Sequence, residues 1–287
     1  MLASRRATRR CSRRRSTSCW RSRKGPPRAP PSPRIGVAPH RPGPRGYYAD
    51  KLSAERLRAC YECAPPRTKA YLEAEIAFVL TKAKAGTVAL ELGCGYGRVL
   101  KRMIPAVRRV IGVDNSLSSL QMARGYLRED GKPPEREPFL LASDARSLAL
   151  SDGSVDLTIC IQNGISALKV DPRLLFAEAR RVTRAGGSIL FSSYSPSFWE
   201  HRLAWFRAQS ARGLIGELDE GATRDGVIVC KDGFRATTAS ASDFAQWARG
   251  IGIEPEVVEV ECSSLFCVIP VPQTPSRRAE EAEGSSD

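Results

Sequence analysis

One stretch in the first half of the chain constrains its fold more than any other. Residues 88–100 read Val-Ala-Leu-Glu-Leu-Gly-Cys-Gly-Tyr-Gly-Arg-Val-Leu, an apolar run with one acid that leads into three glycines at alternate positions. An apolar run that ends in glycines and continues with apolar residues at helical spacing predicts a buried strand, a tight turn and a helix of a parallel α/β sheet. In such sheets, ligands bind beyond the carboxyl ends of the strands.

The spacing of the glycines separates two classes of cofactor. A dinucleotide fingerprint requires G-x-G-x-x-G, and its third glycine would fall where this chain has Arg98. The pattern here is instead E-x-G-x-G-x-G, which begins at Glu91 and includes Gly93, Gly95 and Gly97. A side chain at Gly93 or Gly95 would keep the backbone away from a bound cofactor.

Two further apolar runs also end in acids. Residues 109–113 precede Asp114, which lies at the distance of roughly 20 residues expected for a carboxylate that binds ribose hydroxyls. Asn115 and Ser116 are available to begin the next helix, so Asp114 is not needed as its N-cap. The run 138–143 precedes Asp144 and Ala145.

This order of motifs resembles the class I S-adenosylmethionine-dependent methyltransferases, in their type 11/25-like, small-molecule branch. The resemblance implies an α/β fold with a Rossmann-like seven-stranded sheet, an N-terminal helical cap and an insertion after the fifth strand. It also implies that Glu91 lies near the methionine ammonium and that Asp144 accepts a hydrogen bond from the adenine amino group. The implied cofactor site comprises Tyr61, Glu91, Gly93, Cys94, Gly95, Gly97, Asp114, Asn115, Asp144, Ala145 and Gln162.

The methyltransferase domain is predicted to span residues 47–272, with a substrate lid over about 194–239. The lid is expected to hold an aromatic helix and a hairpin, because Asp-Gly at 232–233 separates two strand-like runs. The last 15 residues, 273–287, are polar and are predicted to be disordered.

The basic character of the chain is confined to its N-terminus. Residues 1–46 contain thirteen Arg, one Lys and no acid, which accounts for the whole formal charge of +14. This Arg/Ser/Pro-rich tail is predicted to be disordered, and its composition is also typical of a mitochondrial or plastid transit peptide if the source is eukaryotic. A solvated tail or an over-extended reading frame would have the same composition. Because the rest of the chain is formally neutral, no nucleic-acid partner is expected for the folded part.

Methyl transfer from a sulfonium needs alignment and exclusion of water more than a nucleophilic triad. The candidates for orienting the acceptor are Gln162 and Asn163 after the fourth strand, Tyr194 after the fifth, and His201 in the lid helix. His201 is also a candidate general base. Tyr48 and Tyr61 could face the ligand from the cap.

The function predicted from the sequence is methyl transfer to a small organic acceptor, with the acceptor atom open. One alternative is a non-catalytic methyltransferase-like module whose basic arm contacts RNA or another partner. A minor alternative is arsenite methylation, since Cys60-x-x-Cys63 is half of a soft-ligand site, although no metal site is predicted. Nine cysteines without a disulfide pattern, and no apolar run of about 18 residues, favour a soluble protein of the cytoplasm or another reducing compartment.

Overall fold

A central sheet positions the glycine turn at its carboxyl edge. The computed structural model describes residues 46–128 and 136–273, together with the backbone of residues 35–37. The strands are β1 (Ile35–Val37), β2 (Val88–Leu92), β3 (Arg109–Asp114), β4 (Phe139–Ala142), β5 (Val155–Cys160), β6 (Thr183–Tyr194), β7 (Ile228–Val229), β8 (Arg235–Ala236), β9 (Glu256–Val260) and β10 (Ser264–Pro270).

Helices surround the sheet and form the lid. They are α1 (Tyr47–Asp50), α2 (Ala54–Glu62), α3 (Pro66–Lys82), α4 (Arg98–Met103), α5 (Leu117–Tyr126), α6 (Gly164–Ala167), α7 (Pro172–Val182), α8 (Trp199–Ala211) and α9 (Ala241–Arg249). A 3-10 turn at Pro196–Phe198 leads into α8. In the described parts of the chain, no helix is both long and apolar enough to cross a membrane.

The sheet order is β1-β4-β3-β2-β5-β6-β10-β9, with β10 antiparallel to both of its neighbours. Seven of these strands are the ones predicted, and the parallel core with a terminal antiparallel pair confirms the predicted fold class. The additional strand β1 pairs in parallel with β4, which provides partners for one edge of the sheet. It falls inside the predicted disordered tail, so that prediction does not hold for residues 35–37; residues 1–34, 38–45 and 274–287 lie outside the described residues.

Two apolar clusters cover the two faces of the sheet. One joins α7 and α9 to the strands through Phe176, Ala179 and Phe244. The other joins α3, α4 and α5, with Ile76 and Leu100 among its buried members. Both faces are therefore buried, which explains why β2 is apolar at successive positions rather than alternating.

The segment after β6 folds over the carboxyl edge of the sheet. Helix α8 is followed by the short β7–β8 hairpin, as the Asp-Gly pair predicts. A third cluster packs Phe206 of α8 and Phe234 of the hairpin against Leu52 of the N-terminal cap. The cap and the lid thus enclose a space above the glycine turn.

Candidate active site

The glycine turn is fastened to the neighbouring strand by its backbone. The N–H groups of Gly93 and Cys94 both donate to the Val113 carbonyl oxygen, at 2.8 and 2.9 Å. Gly93 and Gly95 have φ angles of +75° and +52°, in the left-handed region that favours glycine. A Cβ atom added to Gly95 would stand 2.9 Å from Leu57 Cδ2. The turn therefore requires glycine both for its conformation and for its close neighbours.

Asp114 lies at the end of β3 with both carboxylate oxygens held in place. Its Oδ2 accepts from Gly95 N–H and its Oδ1 from Ser116 N–H, each at 2.8 Å. Burial raises the pKa of this carboxyl, and the backbone donors oppose that rise. Ser116 is the N-cap of α5, so Asp114 is free of that role, as the sequence predicts. Each oxygen keeps acceptor capacity for a hydroxyl group.

Glu91 is a buried carboxylate with an unsatisfied oxygen. Its side chain is 5% exposed, and its Oε2 atom has no hydrogen-bond partner among the described residues. Burial raises the pKa of Glu91 to about 8. The Arg98 guanidinium lowers this pKa, and the Asp114 carboxylate raises it. A buried unpaired carboxylate is costly, and the free energy would be recovered if a ligand cation occupied the adjoining space.

Arg98 is the complementary group on the other side of the turn. Its Nε and Nη2 atoms are buried and have no partner among the described residues. Its Nη1 atom lies 3.4 Å from Glu73 Oε1, and its guanidinium carbon lies 4.9 Å from the Tyr61 ring centroid. A guanidinium with two free donors is suited to bind a carboxylate. Glu91 and Arg98 together therefore match the two charges of an α-amino acid.

A smaller cavity of about 420 Å³ adjoins the turn and is lined by Asp144 and Ala145. The Asp144 carboxylate is already bound by Arg146, whose Nη2 atom lies 2.6 Å from Asp144 Oδ2. Arg146 N–H and Nε also donate to this carboxylate. A contact from Asp144 to an adenine amino group would therefore compete with Arg146, which the sequence prediction did not anticipate.

The main cavity has a volume of about 1120 Å³ and opens to solvent. Glu91, Arg98 and Asp114 belong to its lining. The name aromatic chamber is used here for the part of the cavity lined by Tyr48, Leu52, Tyr194, Trp205, Phe206 and Gln209.

Gln162 presents an unpartnered amide to the main cavity. It lines the cavity, has a φ of +57°, and its Nε2 atom is buried without a partner among the described residues. Its backbone N–H donates to Glu75 Oε2 at 2.6 Å and to Ser192 Oγ at 2.9 Å. Glu75 also accepts from Ser264 Oγ, and burial raises its pKa to about 7. Helix α3 thus fixes the backbone that presents the Gln162 amide.

The Asn163 side chain contacts residues that support the lid instead of lining the cavity. It is buried, and its φ is +58°. Its Nδ2 donates to the Thr237 carbonyl oxygen and its Oδ1 accepts from Ser193 Oγ, both at 2.9 Å. These contacts connect the part of the lid that follows strand β8 to the central sheet. Backbone held in the left-handed region at a non-glycine residue costs about 1–3 kcal/mol and is common near functional sites.

The other predicted residues divide into two groups. Tyr61, Cys94, Asn115 and Tyr194 line the main cavity with the residues described above. Gly97 lines neither cavity, and its φ of +88°, in the left-handed region, is what favours glycine there. His201 is exposed on α8 and lines neither cavity.

The two cysteines of the Cys60-x-x-Cys63 motif do not form a ligand cluster. Cys63 Sγ donates to the Cys60 carbonyl oxygen at 3.3 Å, and burial raises the pKa of Cys60 to about 12. Over residues 46–128 and 136–273, no group of three or more His, Cys, Asp and Glu side chains is placed to hold a metal ion. The arrangement gives no support to the arsenite alternative.

The sequence analysis missed four contributors to the site. Arg98 directly follows the last glycine, and Glu75 is an acid within the apolar stripe of α3, so both left a visible signal. Arg202, a basic residue among the aromatic residues of α8, is fully buried. Gln209 is also buried and lines the aromatic chamber, but nothing in the sequence distinguished it.

Comparison with known proteins agrees with this geometry. Residues 89–187, which contain the glycine turn, Asp114 and Asp144, match the model of the methyltransferase domain family. This part of the chain is therefore similar to a methyltransferase domain. A 37.1 kDa protein in transposon TN4556 of Streptomyces fradiae is 33% identical over 51% of this chain and 41% of its own length.

A second relative of the methyltransferase domain has a named activity. The ubiquinone biosynthesis O-methyltransferase of Thiobacillus denitrificans is 30% identical over 60% of this chain and 66% of its own length. The chain thus spans less than two thirds of the length of these curated relatives. Among solved structures, a SAM-dependent methyltransferase from Aquifex aeolicus has a TM-score of 0.53 at 15% identity, covering 76% of this chain and all of that one. That likeness shows the fold.

Proposed function

We propose that this protein is an S-adenosylmethionine-dependent methyltransferase that acts on a small organic acceptor. The observation that carries the proposal is a set of buried polar atoms at the glycine turn that have no partner among the described residues: Glu91 Oε2, and the Nε and Nη2 atoms of Arg98. An α-amino acid end carries one ammonium and one carboxylate and would satisfy both. A pyrophosphate would meet the Glu91 carboxylate unfavourably.

Each part of the cofactor has a matching group in the chain. Glu91 would accept from the ammonium, Arg98 would donate to the carboxylate, and the two oxygens of Asp114 would accept from the ribose hydroxyls. The adenine would enter the smaller cavity beside Asp144 and Ala145, where Arg146 has to share the Asp144 carboxylate. The cofactor, when bound, supplies a methyl group already activated by positive sulfur.

The acceptor would occupy the aromatic chamber. An acceptor bound there would displace water from the aromatic walls, and the unpartnered Gln162 Nε2 atom is a donor that can orient a polar group of the acceptor. The relatives named O-methyltransferases, in ubiquinone biosynthesis and on malonyl-acyl carrier protein, support an oxygen atom as the acceptor. In-line displacement then requires alignment of that oxygen with the methyl carbon.

Calorimetric titration of the full chain with S-adenosylmethionine and, separately, with NAD tests the cofactor. We expect binding of the former alone. The measurement is repeated with Asp114→Ala, which should bind sharply less tightly while its circular dichroism stays unchanged. Binding of neither cofactor would favour the non-catalytic module, because Glu91, Arg98 and Asp114 would then have no ligand in common.

A further inference from the structure

The described residues that form the aromatic chamber include hydrogen-bond donors but no base. Among the described residues that line the main cavity, the charged ones are Glu91, Arg98 and Asp114, all at the glycine turn. Burial raises the pKa of Tyr61 to about 12 and raises those of Tyr48 and Tyr194 as well. These hydroxyls therefore remain protonated at neutral pH and act as donors.

The two nearest alternatives for a base lie outside the chamber. His201 is exposed on α8 and lines neither cavity. Glu75 is fully buried beneath Gln162, where one oxygen accepts from the Gln162 backbone N–H and the other from Ser264 Oγ. Neither group is positioned to take a proton from a molecule in the chamber.

A buried positive charge stands directly behind the chamber wall. The Arg202 guanidinium carbon lies 4.6 Å from the ring centroid of Tyr194 and 5.5 Å from that of Phe206, and both rings line the cavity. Its hydrogen bonds go to backbone carbonyl oxygens, including that of Gly226 at 2.7 Å. No carboxylate of the described residues forms an ion pair with it. The titratable groups that couple to it are Tyr194, Tyr48 and Tyr71.

A buried cation that is held by carbonyl oxygens and aromatic rings but has no carboxylate partner among the described residues would gain from an anion in the adjacent chamber. The same cation disfavours an ammonium in the chamber. An ammonium ion or an ordinary alcohol would also need to lose a proton, and the described residues that form the chamber include no group to receive it. A carboxylate is already ionised at neutral pH, so it satisfies both conditions.

Resting on the proposed methyl-transfer function, we propose that the acceptor is an apolar or aromatic carboxylic acid, which the enzyme converts to its methyl ester. A lone pair of the carboxylate oxygen forms the new O–C bond to the methyl carbon. The C–S bond breaks and its electron pair stays on sulfur. The products are an ester and a neutral thioether, and no proton is released. Arg202 stabilises the bound anion through the wall and is a positioning residue.

The test uses the full chain, S-adenosylmethionine and a series of carboxylic acids from benzoate to dodecanoate, each with its amide and its amine as matched controls. Thioether formation and the methylated product are measured by mass spectrometry. We expect product from at least one acid and none from the corresponding amide or amine. In the presence of S-adenosylhomocysteine, that acid should bind at least tenfold more tightly than its amide.

Two variants of Arg202 test its role. Arg202→Met should lose on the order of tenfold in affinity for the acid, the change that about 1.4 kcal/mol produces, and bind the amide as before. Arg202→Lys keeps the charge and should retain part of the preference. Unchanged S-adenosylmethionine binding shows that each variant is folded; if Arg202→Met does not fold, the comparison of acid, amide and amine in the unmodified protein decides.

The outcomes separate the two proposals. If S-adenosylmethionine does not bind, the proposed function itself fails. If it binds but the amines or amides are methylated, or no acid of the series is, the carboxylate inference fails and the cofactor assignment stands.

Discussion

Replacing Glu91 with Gln should change how the stability of the ligand-free protein depends on pH. Burial raises the pKa of this carboxyl from 4.5 to about 8 in the folded state. Below pH 4.5 the group is protonated in both the folded and the unfolded protein. Between about pH 4.5 and 8 the unfolded chain loses the proton while the folded protein retains it, so the free energy of unfolding falls as the pH rises.

The magnitude follows from the two ionisation constants. Each pKa unit between the folded and unfolded states corresponds to about 1.4 kcal/mol, so the loss is on the order of 3–5 kcal/mol by about pH 8. Glu91→Gln cannot ionise and should not suffer this loss. Glu75 also titrates, because burial raises its pKa to about 7, but it is present in both proteins and cancels in the difference.

Urea unfolding followed by circular dichroism at about pH 5, 7 and 9 measures the difference between the variant and the unmodified protein. It should grow with pH and level off above about pH 8. Glu55→Gln, which removes an exposed carboxyl from α2, is the matched control and should give a pH-independent difference. A constant difference for Glu91→Gln would show that Glu91 is ionised in the free protein, and the argument from its burial would be refuted.

The same carboxyl should release a proton when the cofactor ammonium binds. Calorimetry at pH 7 in two buffers of different ionisation enthalpy should report close to one proton released per S-adenosylmethionine by the unmodified protein. Glu91→Gln should release essentially none. Proton release that persists in the variant would assign the titration to another group.

Three further predictions concern neighbouring residues. Arg98→Met should weaken S-adenosylmethionine binding by about tenfold or more but leave 5′-methylthioadenosine, which lacks the amino acid end, unaffected; equal losses for both ligands would contradict the assigned contact. Asp114→Asn should weaken both ligands in calorimetry, because both contain the ribose, and selective loss of one would exclude the ribose role. Asn163→Ala should destabilise the protein by about 1–3 kcal/mol by removing the buried hydrogen bonds of Asn163 with the Thr237 carbonyl oxygen and Ser193 Oγ, and should accelerate amide hydrogen exchange in the β7–β8 hairpin; unchanged exchange would mean that Asn163 does not hold the lid.

Much of the sheet and the glycine turn was predictable because the sequence patterns that indicate them are local. The apolar run before Glu91, the left-handed glycines at 93 and 95, and the Ser116 cap that leaves Asp114 free depend on residues close together in sequence. Strand periodicity and cap chemistry operate over such short distances. The order of the parallel strands then follows from the resemblance to the family.

The state of the individual side chains was not predictable. Asp144 is engaged by Arg146, and Asn163 is part of the support of the lid instead of the acceptor site. Each outcome depends on which groups lie within hydrogen-bond distance of the side chain in the folded protein. The sequence places a polar residue at a strand end but does not give the direction in which its side chain points.

The sequence by itself determined the sheet, the glycine turn and the acids at the strand ends, since these follow from local pattern. Only the tertiary structure decided that Glu91 Oε2 and the Nε and Nη2 atoms of Arg98 lack partners among the described residues beside one cavity, and that Arg202 is buried behind part of its wall with no carboxylate partner among those residues. Burial and pairing of charges depend on groups far apart in the chain, such as α3, α8 and the glycine turn. The free energy of a charge is set by those surroundings. The chemistry of the site can therefore be inferred only from the folded structure.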